Sequence, residues 1–168
     1  MDASGVAEDG TISGGWKTET PYGAYQTITL SGDTTLSDGT VIVIMGKLII
    51  PEGMTLTIED GARLIVYNGT ASIENNGTIV IESKFQSEIG SGENEVTRNG
   101  GFVIMGGSEV TNNGTITLDY TLPEVPSTYY SMNIASKFTN NGNVVVGEDS
   151  KLVISATNAV NGVDGTFS

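Results

Sequence analysis

Carboxylates are the commonest reactive side chains in this sequence, so their spacing sets the first question. The chain has 168 residues, with 20 Asp and Glu, seven Lys and Arg, no His and no Cys, for a net charge of −13. Acidic pairs stand at Glu59-Asp60 and Glu148-Asp149, and Asp33 and Asp38 flank another turn. Oxygen-rich turns can hold Ca²⁺, but neither a Gly-Asp nonapeptide repeat nor an EF-hand spacing is present. The expectation is therefore solvated turn residues, with structural calcium as the alternative. Clustered carboxylates beside a basic residue can also cleave polysaccharides by general acid–base catalysis. Arg63, Arg98 and five Lys are the available partners. Arg63 falls inside a repeated unit, so repetition explains its position. No catalytic residue, no metal ligand and no cofactor is expected, and the protein is read as a non-enzyme.

The missing residue types exclude more. Without Cys and His there are no disulfides, no thiolate or Ser-His nucleophiles and no zinc site built on those ligands. A net charge of −13 repels the phosphates of nucleic acids and anionic membrane surfaces. No apolar run reaches the ~20 residues of a membrane-spanning helix. The first residues, Met1-Asp2-Ala3-Ser4-Gly5, are acidic and small, so no signal peptide is expected there.

Aromatic side chains are the other candidate recognition groups, because their faces stack on sugars or anchor protein interfaces. Trp16, Tyr22 and Tyr25 cluster near the start and are expected to cap the fold or contact a second subunit. Tyr120, Tyr129 and Tyr130 lie in or beside a Pro-containing stretch and are the candidates for binding glycan or a partner. Asn68-Gly69-Thr70, Asn76-Gly77-Thr78 and Asn113-Gly114-Thr115 fit a glycosylation sequon, but a turn repeat accounts for them equally.

The elements that must position these groups are strands. No window of a dozen residues has helical apolar spacing. Short β-branched runs recur instead, at Thr27–Leu30, Thr40–Met45, Lys47–Ile50, Met54–Ile58, Arg63–Tyr67, Ala71–Glu74, Thr78–Glu82, Gly101–Met105, Thr115–Asp119, Asn143–Val146 and Lys151–Ser155. Ten Asn-Gly or Asp-Gly dipeptides punctuate the chain, and Gly is 23 of its residues. Gly reaches positive φ at no steric cost, and Asn and Asp tolerate it.

Asn-Gly between strands often signals an antiparallel hairpin, but here the corners belong to an internal repeat. Ile73-Glu74-Asn75-Asn76-Gly77-Thr78-Ile79 matches Val110-Thr111-Asn112-Asn113-Gly114-Thr115-Ile116 and Phe138-Thr139-Asn140-Asn141-Gly142-Asn143-Val144. A second repeat is Val43-Ile44-Met45-Gly46 and Val103-Ile104-Met105-Gly106, and a third aligns Met54–Leu64 with Asn143–Leu152. The period is irregular, as expected if Ser83–Asn99 and Asp119–Ser136 are insertions. The reading is an all-β, single-stranded parallel β-helix, a β-solenoid of about five or six coils with a repeat of roughly 20–29 residues. Its inward Leu, Ile and Val form columns. Asn75, Asn76, Gly77, Asn112, Asn113, Gly114, Asn140, Asn141 and Gly142 are expected as stacked turns and ladders.

The stretch Gly46–Val66, with Pro51-Glu52-Gly53, Leu56-Thr57-Ile58 and Asp60-Gly61-Ala62, resembles a coil unit of bacterial cell-surface β-helix proteins, which an Asn-Asn-Gly-Thr-Ile coil follows (here Asn75–Ile79). The resemblance covers Leu30–Glu82 well and Phe102–Ser155 loosely. It implies a right-handed parallel β-helix used as a stalk, adhesin or surface-layer element, and an extracellular or cell-surface location.

The domain reading has three parts: an extended segment over 1–26, a solenoid over 27–155 and a second extended segment over 156–168. A solenoid leaves unpaired strand edges and open apolar columns at its ends. The terminal segments are expected to supply strands to a neighbouring copy, giving a head-to-tail homopolymer. Lys47, Lys84, Lys137 and Lys151 are expected to guard edges against indiscriminate pairing. A carbohydrate-binding surface module, using the 119–136 insertion, is the first alternative. A phage fibre or capsid decoration protein is the second.

Overall fold

The computed structural model describes residues 27–67, 69, 71–82, 101–104, 107–119, 132–148, 150, 152–154, 159–162 and 164–168, and the backbone at 86–89 and 96–99. Among these residues every regular element is a strand. The chain winds into coils of three short strands, and each strand lies parallel to its counterpart in the next coil.

The first coil holds β1 (Thr27–Thr29), β2 (Thr34–Leu36) and β3 (Val41–Ile44). The second holds β4 (Lys47–Ile50), β5 (Thr55–Ile58) and β6 (Arg63–Val66). The third holds β7 (Ser72–Asn75) and β8 (Thr78–Ile81). It then leaves the coil for an antiparallel pair, β9 (Gln86–Ile89) with β10 (Val96–Asn99), and returns at β11 (Phe102–Ile104). The fourth contains β12 (Glu109–Asn112), β13 (Thr115–Leu118) and β14 (Met132–Ile134). The fifth contains β15 (Lys137–Asn140), β16 (Asn143–Val146) and β17 (Leu152–Ile154). A partial sixth coil adds β18 (Ala159–Asn161) and β19 (Thr166–Phe167). Three parallel sheets result: sheet 1, β1-β4-β7-β12-β15-β18; sheet 2, β2-β5-β8-β13-β16-β19; and sheet 3, β3-β6-β11-β14-β17. This is the expected parallel β-solenoid.

Alternation along each strand builds the core. Four-residue strands such as β4, β5, β6 and β8 bury every second side chain. The register then stacks like on like: Ile44, Val66, Ile104, Ile134 and Ile154 form one inward column of sheet 3. Leu64, Phe102 and Met132 form part of the column beside it, and Ile73, Val110 and Phe138 form one in sheet 1. Each fully buried Leu, Ile or Phe stabilises the stack by roughly 1.5–3 kcal/mol relative to exposure.

The three sequence repeats mark three stations of one cross-section. Asn-Asn-Gly turns the chain from sheet 1 to sheet 2. The Met54–Leu64 and Asn143–Leu152 repeat spans the corner from sheet 2 to sheet 3, and the Val-Ile-Met-Gly repeat leads from sheet 3 back to sheet 1. Both insertions leave at the same corner of neighbouring coils, between sheets 2 and 3.

Several boundaries differ from the sequence reading. The insertion expected over 119–136 is shorter, because Met132–Ile134 forms β14 and its inward Met132 and Ile134 continue the columns of sheet 3. The stretch 83–99 contains a paired β9–β10 excursion rather than loop alone. The solenoid also passes Ser155. β18 and β19, within the 156–168 stretch expected to be a separate extended segment, pair in register with β15 and β16. The reason for the glycines also changes. Gly39 and Gly61, in Asp-Gly corners, have φ near +78°. Gly114 and Gly142 do not need positive φ; a Cβ there would overlap the carbonyl oxygen of the glycine one coil below.

Candidate functional site

The predicted Asn positions form two ladders of opposite direction. In the inner one, each Asn is the last residue of a sheet 1 strand, and Asn75, Asn112 and Asn140 are fully buried while Asn161 is exposed. Asn75 Nδ2 donates to Asn112 Oδ1 at 2.7 Å, Asn112 Nδ2 to Asn140 Oδ1 at 2.7 Å, and Asn140 Nδ2 to Asn161 Oδ1 at 2.8 Å. The second hydrogen of each amide reaches across the corner to a backbone carbonyl of the next coil: Thr115, Asn143 and Thr166, at 3.0–3.1 Å. Those carbonyls accept only from the nitrogen, which fixes the direction of the ladder. In the outer ladder Asn113 Nδ2 donates down to Asn76 Oδ1 at 2.8 Å, and Asn141 Nδ2 donates to Asn113 Oδ1 at 2.9 Å.

The inner ladder starts abruptly. Its position is Ile50 in the second coil, where Pro51-Glu52-Gly53 makes a wider turn closed by Met54 N–H donating to Pro51 O at 3.1 Å. Asn75 Oδ1 is therefore buried without a donor. Leaving such an acceptor unpaired costs about 1–3 kcal/mol.

Charges on the outer face of sheet 1 join coils. Lys47 Nζ lies 2.6 Å from Glu74 Oε2, and Lys137 Nζ lies 2.6 Å from Glu109 Oε1. Lys47 and Lys137 thus pair with carboxylates on neighbouring strands instead of standing as lone edge guards. The Lys47 hydrogen bond, helped by Asn76, holds the Glu74 carboxyl below its ordinary value. Lys47, Glu74 and Glu109 border an open groove of about 250 Å³ that also takes in Ser72, Thr111 and Asn113.

The Asp38-Gly39 and Asp60-Gly61 turns stack at one corner of neighbouring coils, Gly39 N–H donating to the Gly61 carbonyl at 3.2 Å. Among the described residues no three Asp or Glu side chains group as metal ligands would. Asp33 Oδ1 instead accepts from the backbone N–H of Thr55 at 2.8 Å, taking the place of a strand carbonyl. Arg63 is half-buried on the outward side of β6. The aromatic candidates Trp16, Tyr22, Tyr25, Tyr120, Tyr129 and Tyr130 lie outside the described residues, as do Lys84, Asp149 and Lys151.

Open ends were expected of a solenoid, but sequence reading placed none of the residues that form this one. β17, β18 and β19 each pair with a single described strand. Ile154 continues a column whose members Ile104 and Ile134 are fully buried, yet it is 48% exposed. Phe167 continues the Ile116–Val144 column and is 43% exposed. Asn161 ends the inner ladder, and its Nδ2 turns to the Gly165 carbonyl of its own coil. A signal for this coil was present, since Asn161-Gly162 repeats the corner 21 residues after Asn140. The arrangement can accept another strand on each sheet and another apolar residue on each column. No family model, curated protein or solved structure matches the chain.

Proposed function

We propose that this protein is a non-enzymatic structural subunit whose copies join head to tail into an extracellular or surface filament. The observation that carries the reading is the open end of the stack, where strand edges without a further partner among the described residues coincide with exposed members of the core columns, Ile154 in the fifth coil and Phe167 in the sixth. Strand edges recruit further strands, and β-augmentation supplies both backbone bonds and side-chain pockets. Residues 1–26 of a second copy are the proposed donor. They carry Trp16, Tyr22 and Tyr25 and the β-forming residues a donor strand needs. Such a contact joins unlike surfaces and does not close, so it propagates. A surface at −13 keeps the free subunits soluble until this contact forms.

Negative-stain electron microscopy of the pure 168-residue chain tests the reading. Filaments are expected, and deletion of Met1–Gln26 should leave folded single subunits. Discrete trimers, single particles at every concentration, or unchanged assembly by the truncated chain would overturn it.

A further inference from the structure

The outward side of sheet 2 is unlike the rest of the surface. Thr55, Thr78 and Thr115 stack in one column over three successive coils. Thr35, Thr57 and Thr117 lie in the next column, with Val80 between the last two. All six threonines are half-buried, with their outward tips at the surface. The other outward positions of β16 and β19 are Asn, Val and Thr, so the strands of this face bear no charge; Asp33, just before β2, begins the first column, its carboxylate accepting from the Thr55 N–H.

This hydroxyl array has a fixed two-dimensional repeat. Neighbouring strands are about 4.7–4.9 Å apart, and alternate residues of one strand about 6.6 Å. Hydrogen-bonded water has a comparable repeat. Two O–H···O bonds of about 2.75 Å meeting at the tetrahedral angle separate second-neighbour oxygens by about 4.5 Å, and the same geometry stacks layers at about 7.3 Å. The mismatch is about a tenth along each direction, and with only two columns it does not accumulate along the strands. The face is also held still. The inner Asn ladder bonds to the backbone carbonyls of Thr115, Asn143 and Thr166, which all belong to the first column.

Charge decides between occupants. Glu59, Glu82 and Asp119 follow β5, β8 and β13 in register and line one margin of the face. A second copy, itself at −13, or an anionic polymer would bring like charges against that margin. A neutral crystalline surface would not. We propose that the outward face of sheet 2 orders water in a lattice and adsorbs to ice. The proposal is independent of end-to-end assembly, because the face lies along the side of the stack.

The test is partition of the 168-residue chain between slowly growing ice and the remaining solution, read with the gap between melting and growth temperatures. Thr115→Lys and Thr57→Lys place a long charge in the array at outward positions. Thr111→Lys places the same charge on the outer face of sheet 1 as a control. Circular dichroism checks that each variant is folded, and the two array variants stand in for each other if one is not. The wild type and Thr111→Lys should enter ice and hold its growth, and Thr115→Lys or Thr57→Lys should lose both properties. Exclusion of the wild type from ice, or array variants as active as Thr111→Lys, would overturn the proposal.

Discussion

The two ends of the stack contain the same kinds of residue in very different surroundings. Ile44 in the first coil and Ile154 in the fifth occupy one inward column of sheet 3, yet Ile44 is 2% exposed and Ile154 48%. Leu36 and Ile42 are also buried in the first coil, although no described strand lies beyond β2 and β3. At the other end Phe167 and Asn161 face solvent. A parallel stack is polar by construction, and this contrast shows that its ends are chemically unequal as well. On the proposed reading, a further copy would add at the side of coil six that faces away from coil five.

Truncation at the two ends should separate them most clearly. Ile44→Ala is expected to cost about 2–5 kcal/mol, the range for removing a buried Ile side chain. Ile154→Ala should cost about 1 kcal/mol in dilute solution, since half of that side chain is already in water. Denaturant unfolding of both variants measures the difference, and equal costs would remove the distinction between the ends. If copies stack, the cost at Ile154 grows with protein concentration and the cost at Ile44 does not.

A second contrast lies within the Asn-Asn-Gly corners. Asn112→Leu strips the buried ladder of a donor and an acceptor and leaves Asn75 and Asn140 short of partners, for about 2–4 kcal/mol. Asn113→Ala acts on the exposed ladder, where water replaces the lost bonds, and should cost below about 1 kcal/mol. The smallest effect concerns pH. Because Lys47 and Asn76 depress the Glu74 pKa, the pair stabilises the fold fully above the ordinary carboxylate range and loses that contribution as pH falls through the depressed value. Glu74→Gln should flatten that part of the stability–pH curve, and an unchanged curve would show the pair to be inert.

The solenoid was legible because its corners repeat in identity as well as position. Asn75, Asn112 and Asn140 could be aligned without coordinates, and the register places them in direct succession. Other strands were hidden for a physical reason. Glu109–Asn112 and Lys137–Asn140 each present one inward apolar residue, Val110 or Phe138, and one inward Asn. Read singly, such a segment looks polar. Its amide becomes a core group only through bonds to the coils above and below. Thr34–Leu36 and Ala159–Asn161 are short end strands whose small and polar residues carry little signal. Open ends were expected, but the residues that form this one were illegible for a similar reason, because exposure of Ile154 and Phe167 depends on what stacks against them. The threonine columns needed the register, which alone brings Thr55, Thr78 and Thr115 together across gaps of unequal length.

Sedimentation equilibrium of the full 168-residue chain beside its Ile154→Lys variant, over a wide range of concentrations, tests the end-to-end account most directly. The wild type should gain mass in whole multiples of one subunit as concentration rises, while the variant, with a charge set into the open column, stays a folded monomer. A wild type that remains a single subunit throughout, or a variant that associates equally well, would contradict it.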